Sequence, residues 1–179
     1  MNLPSKEGSN ERAGTRTPMQ WAPGATAGFS TCTPDKLYLP VATDGGKITV
    51  ATEEKDPNSL LNYTRKLVKL RHVTPALGNL ADWKLVSSLK QPYPMVYQRT
   101  MDGQTCIIAL NPSGKAVKAS LAHVVGAQPT DNTAMEQGRQ KRYTGNPTTL
   151  IATGKAAYKC GKQDVVTLGP VSAAIFLLK

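Results

Sequence analysis

A chain of 179 residues with 40% hydrophobic content suits one domain, or one domain and part of another, and is too short for a complete (β/α)8 barrel of about 250 residues. No apolar run approaches the roughly 20 residues of a membrane-spanning helix, so a soluble chain is expected. The formal net charge of +10 and pI near 9.7 come from basic residues dispersed along the chain, not clustered among aromatics; this argues against a specific nucleic-acid partner and predicts only weak, salt-sensitive attraction to polyanions.

The first ten residues, MNLPSKEGSN, have no apolar core and do not read as a secretory signal, and nothing in them assigns a compartment; cytoplasm and periplasm both stay open. Next comes ERAGTRTPMQW, Glu11 to Trp21, which concentrates the groups that hold a sugar: forked guanidinium donors, an amide with both donor and acceptor, and an aromatic face. Arg16, Gln20 and Trp21 are the candidate substrate-binding residues, with Arg12 and Glu11 behind them. The structural alternative is that Arg16 bridges loop carbonyls and that Met19 and Trp21 are anchors. Residues 1 to about 55 are dense in Gly, Pro, Thr and Ser, with short apolar runs only at Leu37 to Val41 and Ile48 to Ala51, and are predicted to be loop.

A helix is predicted over about 57–72, with Asp56 as N-cap and Pro57 in its first turn. Leu60, Leu61, Thr64, Leu67 and Val68 share one side, Asn62, Arg65, Lys66 and Lys69 share another, and Thr74–Pro75 stops the helix. The apolar stripe must fold against the region that follows, find a partner chain through self-association, or stay partly exposed.

Residues 78–179 read as antiparallel β structure. Met95 to Met101 and Gln104 to Leu110 are strand-like runs joined by Asp102–Gly103, the pairing that favours a tight hairpin turn. Asn111 to Gly114 is a further turn, and Val117, Ala119 and Leu121 alternate with polar residues as a half-buried strand does. More strands are expected at Leu80 to Val86, Thr149 to Thr153, Val165 to Leu168 and Ala173 to Leu178, a spacing that predicts a β-sandwich. The polar, aperiodic segment 128–146 is predicted to be a mobile loop. Cys32, Cys106 and Cys160 are odd in number and far apart, so they read as free thiols; with only His72 and His123 available, neither a metal site nor a cofactor is expected.

In order and spacing, ERAGTRTPMQW, TAGFST (Thr26 to Thr31), LYLPV (Leu37 to Val41), DPNSLLN (Asp56 to Asn62), YTRKLVKLRHVTPAL (Tyr63 to Leu77), PMVYQR (Pro94 to Arg99) and VSAAIFLLK (Val171 to Lys179) resemble the late part of glycoside hydrolase family 13 enzymes of the α-glucosidase, oligo-1,6-glucosidase and trehalose synthase type. The resemblance is close from Glu11 to about Asn111 and looser beyond. It implies that residues 1–77 correspond to the end of a catalytic barrel, with a loop (1–55) along the rim of the active site and the last barrel helix (about 57–72), and that 78–179 form the family's C-terminal β-sandwich. It also implies a retaining mechanism whose aspartate nucleophile, glutamate acid/base and second aspartate lie on earlier strands, so no catalytic residue is expected in this chain. An α-glucan or α-glucoside would be met through the parent enzyme. One departure stands out: Thr26 occupies the place where many relatives have Asn before Ala-Gly-Phe.

Three functions are thereby expected in descending order. The first is a non-catalytic C-terminal part of an α-glucosidase-like enzyme. The second is a stand-alone α-glucan-binding module using Trp83, Tyr93 and Tyr97, for which core packing of Tyr97 and edge filling by Trp83 are the structural alternative. The third is a small hydrolase using Glu11, Asp35, Asp44, Glu53 or Glu54.

Overall fold

The computed structural model describes residues 17–39, 41, 47–121 and 147–178. It divides into two compact units, Met1–Lys66 and Leu67–Lys179. The segment 128–146 lies outside the described residues.

In the first unit, the stretch predicted as loop contains a short helix, α1 (Val50–Lys55). Its start is a capping box: the Thr49 hydroxyl accepts from Thr52 N, and the Thr52 side chain accepts from Thr49 N. Thr stands where the usual signature has Glu or Gln, so the pattern escapes a sequence scan. The second helix, α2, runs Leu60–Val73 and starts later than expected. Asp56 is not its N-cap; it terminates α1, and its Oδ1 accepts from Asn58 N at 2.8 Å in a local turn through Pro57. The cap of α2 is Ser59, whose Oγ accepts from Asn62 N. Asn62 then reaches back and donates from Nδ2 to the carbonyls of Glu53 and Asp56 at the end of α1, where the Glu53 carbonyl also accepts from the Asp56 amide. No α2 residue is buried, and Leu60 and Val68 of its apolar stripe are exposed.

The second unit is mainly β. Its strands are β1 (Asp82–Leu85), β2 (Met95–Met101), β3 (Gln104–Asn111), β4 (Val117–Ser120), β5 (Thr148–Thr153), β6 (Ala156–Lys159), β7 (Val165–Leu168) and β8 (Ser172–Leu178). They form two antiparallel sheets, a five-stranded one ordered β1-β2-β3-β8-β5 and a three-stranded one ordered β4-β7-β6. The β2–β3 hairpin turns at Asp102 (φ 50°) and Gly103 (φ 73°), the left-handed pair that matches the twist of the flanking strands. The strand that sequence patterning misses is β6, whose two alanines have little β preference; Tyr158 holds it in place by filling the core opposite Val166.

Alternation divides each strand between two environments. Val96, Ile107, Ala109, Val166, Leu168, Ala174, Phe176 and Leu178 meet between the sheets. The outer face of the five-stranded sheet carries Cys106 and Ile108, packed against Ala76 in the turn Pro75–Leu77 that follows α2. That second apolar layer explains why β3 reads as a nearly continuous hydrophobic run.

Cys106 is fully buried there, and burial pushes its thiol from an ordinary value of 9 to about 11, with the nearby Arg99 opposing. The neutral form is favoured in the folded state and the thiolate only after unfolding, so stability should fall as pH rises from 9 towards 11. A disulfide-exchange reagent at pH 8 should therefore label Cys32 and Cys160, both partly exposed, and label Cys106 only with denaturant; equal labelling of all three in buffer would contradict this packing.

Candidate functional site

Of the five candidate sugar-binding residues, the structure describes Gln20 and Trp21; Glu11, Arg12 and Arg16 lie outside the described residues. Gln20 and Trp21 are held by their backbones. The Gln20 carbonyl accepts from Val50 N and the Trp21 carbonyl from Ala51 N, both at 3.0 Å, so these two carbonyls satisfy two amides that open α1. Trp21 N donates to Ala27 O at 2.8 Å, closing a turn that runs from Trp21 to Phe29.

That turn depends on unusual backbone. Ala27 and Gly28 are both left-handed, with φ of 50° and 67°, and Ala27 is buried. At Gly28 a Cβ would also meet the backbone nitrogen of Ala22 at 3.1 Å, so both conformation and space favour glycine. Thr26, the departure from the pattern, donates its hydroxyl to Ser30 O at 2.7 Å and so clips the far side of the same turn. None of this lacing is legible from residue types alone, because it depends on which carbonyl α1 meets.

With their main chains fixed, the two side chains are presented in different ways. Trp21 is 51% exposed, an aromatic residue of the kind that can stack on a sugar ring. Gln20 is half-buried, and its Oε1 is buried with no hydrogen-bond partner among the described residues. An amide oxygen in that condition suits a hydroxyl donor brought by a ligand.

The described acids among the candidate catalytic carboxylates have other partners or lie open. Glu53 Oε2 accepts from Leu61 N at 3.2 Å, and Glu54 pairs with Arg65 at 2.9 Å. Asp35 is exposed in the short turn Pro34–Lys36. Glu11 and Asp44 lie outside the described residues. Among the described residues, no three His, Cys, Asp or Glu side chains gather where they could hold a metal ion.

In the β unit, Trp83 lies on edge strand β1 and is 57% exposed, while Tyr97 on β2 is half-buried. Their ring centroids are 6.1 Å apart with a 34° tilt, so the two rings contact each other and do not form a flat platform. Tyr93 is exposed in the connection before β2 and has no ring contact among the described residues.

Residues 2–79 match the α-amylase catalytic-domain family. The chain belongs to glycoside hydrolase family 13, the α-amylase family. Among its family 13 relatives, the trehalose synthase/amylase TreS of Mycobacterium tuberculosis is 36% identical over 108 residues, 56% of this chain and 18% of that protein. The oligo-1,6-glucosidase of Heyndrickxia coagulans is 32% identical over 121 residues, 68% of this chain and 20% of that protein. The crystal structure of the trehalulose synthase MutB from Pseudomonas mesoacidophila MX-45 superposes with a TM-score of 0.68 and 26% identity, covering 94% of this chain and 26% of that one. The chain thus spans about a fifth of the length of these curated family 13 relatives.

Proposed function

We propose that this chain is the C-terminal part of an α-glucosidase-like family 13 enzyme acting on α-glucosidic linkages, and is not itself catalytic. Residues 1–77 close the catalytic domain and 78–179 form a supporting sandwich. In this reading the Glu11–Trp21 strap, with Arg12, Arg16, Gln20 and Trp21, lies along the substrate cleft of the whole enzyme and meets an α-glucan or α-glucoside there. The observation that carries it is the match to the catalytic domain over residues 2–79, in relatives named as trehalose synthases and oligo-1,6-glucosidases.

Retaining glycoside hydrolysis needs two carboxyl groups facing each other at roughly 5 Å across the scissile bond, held by a rigid scaffold. Glu53 and Glu54 instead serve α2, by a backbone contact and an ion pair. Trp83, 57% exposed beside Tyr97, favours a second reading as a stand-alone α-glucan-binding module.

The purified chain should release neither glucose nor p-nitrophenol from α-glucosides, and calorimetric titration with maltose and longer maltodextrins should give no saturable heat. Binding without turnover, abolished by Trp83→Ala, would replace the first reading with the second. Turnover abolished by a single carboxylate substitution would overturn both.

A further inference from the structure

Among the described residues, the outer face of the three-stranded sheet carries cations without exposed anions. Register places Lys118 of β4, Thr167 of β7 and Ala157 of β6 in one row, and Ser120, Val165 and Lys159 in the next. All except half-buried Val165 are exposed, whereas the intervening Ala119, Val166 and Tyr158 point into the core. Lys115 precedes β4, Lys155 precedes β6 and Lys162 sits in the β6–β7 turn, and these three are also exposed.

The one carboxylate within these strands and their described turns has been drawn inside. Asp164, in the same turn as Lys162, is 5% exposed and accepts from Tyr158 Oη at 3.2 Å and Gly161 N at 3.4 Å. No other acid lies in residues 112–121 or 154–171, and none of these five lysines pairs with a described carboxylate. The dispersed positive charge of the sequence is therefore gathered locally by the fold, since β4 and β6 are far apart in the chain and share a sheet only through β7.

We propose that this face is a docking surface for a linear phosphate polyanion, namely the backbone of duplex nucleic acid bound without regard to sequence. Charge complementarity selects a polyanion, and the Ser120 and Thr167 hydroxyls among the lysines are suited to phosphodiester oxygens. Among the described residues, the outward positions of β4, β7 and β6 offer no aromatic ring for stacking unpaired bases and no large exposed apolar side chain to enter a lipid surface, which disfavours single strands and membranes. Lysines act as point charges, so the contact carries no base readout.

The test uses the whole chain and a fluorescein-labelled random-sequence 25-base-pair DNA duplex, followed by anisotropy. With about four phosphates neutralised, affinity should fall on the order of a hundredfold between 50 and 200 mM salt. The double variant Lys118→Gln/Lys159→Gln should flatten the logarithmic salt slope by about two units and weaken binding at least about tenfold at low salt. The charge-matched variant Lys69→Gln/Lys84→Gln, on α2 and β1, should retain wild-type affinity, and unchanged thermal midpoints verify that all proteins fold.

Equal weakening by the two variants would reduce the effect to net charge and overturn the assigned face. Tighter binding to oligo-dT than to duplex would overturn the duplex as occupant. Binding to phosphatidylserine vesicles with none to duplex would do the same in favour of a lipid surface.

Discussion

Replacing Phe176 by alanine is expected to lower the unfolding free energy of the β unit by about 3–5 kcal/mol, the range for removing a buried aromatic ring from a core that cannot collapse around the gap. Phe176 is 1% exposed on β8, whose neighbours β3 and β5 flank it on either side in the five-stranded sheet. It is in register with Ile107 and Thr149. Across the sandwich its ring lies 5.6 Å from that of Tyr158 at 57°, a tilted contact that adds about 0.5–1.5 kcal/mol beyond area. Tyr158 in turn fixes β6, so the truncation should loosen the short sheet as well. Against a total of about 5–15 kcal/mol for a domain, the loss is a large fraction of stability. Urea unfolding followed by far-ultraviolet circular dichroism measures it, and a shift below about 1 kcal/mol would mean that the two sheets do not share this core. Phe176→Leu, which keeps most of the volume, should cost far less.

Asn111→Ala should cost about 3 kcal/mol, although it removes no apolar surface. The side chain is 1% exposed at the end of β3 and uses both of its ends. Its Nδ2 donates to Lys115 O at 2.8 Å and Gly169 O at 2.6 Å, while its Oδ1 accepts from Ser113 N at 3.1 Å and Ser113 Oγ at 2.7 Å. One amide therefore ties the turn before β4 to the connection between β7 and β8. Each such bond is worth on the order of 1 kcal/mol net, and a buried group left unpaired costs more. Asn111→Asp separates hydrogen bonding from shape, because it keeps the volume but turns a second carboxylate oxygen towards the two carbonyls. Burial and repulsion would raise the pKa of that carboxyl in the folded state, so its penalty is fully present at neutral pH and is relieved as pH falls through the raised value. An aspartate variant as stable as the parent at pH 7 would refute the network.

Much of the β architecture is written locally. The hairpin from Met95 was legible because Asp102–Gly103 supplies left-handed residues between two runs of strand-forming side chains, and because the alternation in Val117 to Leu121 marks an inner and an outer face. Helix α2 was visible from its period, yet its start was not. Asp56 and Ser59 are both acceptable caps, and the choice between them was made by Asn62, which reaches back to α1, a helix whose Thr49–Thr52 box lacks the usual signature. The candidate site divides in the same way. Residue types in Glu11 to Trp21 pointed to sugar recognition, and the ordered motifs pointed to family 13.

That Gln20 and Trp21 are braced by the first amides of α1, that Gln20 keeps an oxygen without a partner among the described residues, and that Thr26 clips the neighbouring turn are consequences of which groups meet in space. The same holds for charge. Composition determined that the chain is strongly basic, and periodicity determined which side of each strand is polar. Only the pairing of β4, β7 and β6 decided that Lys118 and Lys159 share one face while Asp164 turns inward, because long-range pairing is selected by burial of Tyr158, Val166 and Leu168 together, a condition that no local stretch of sequence contains.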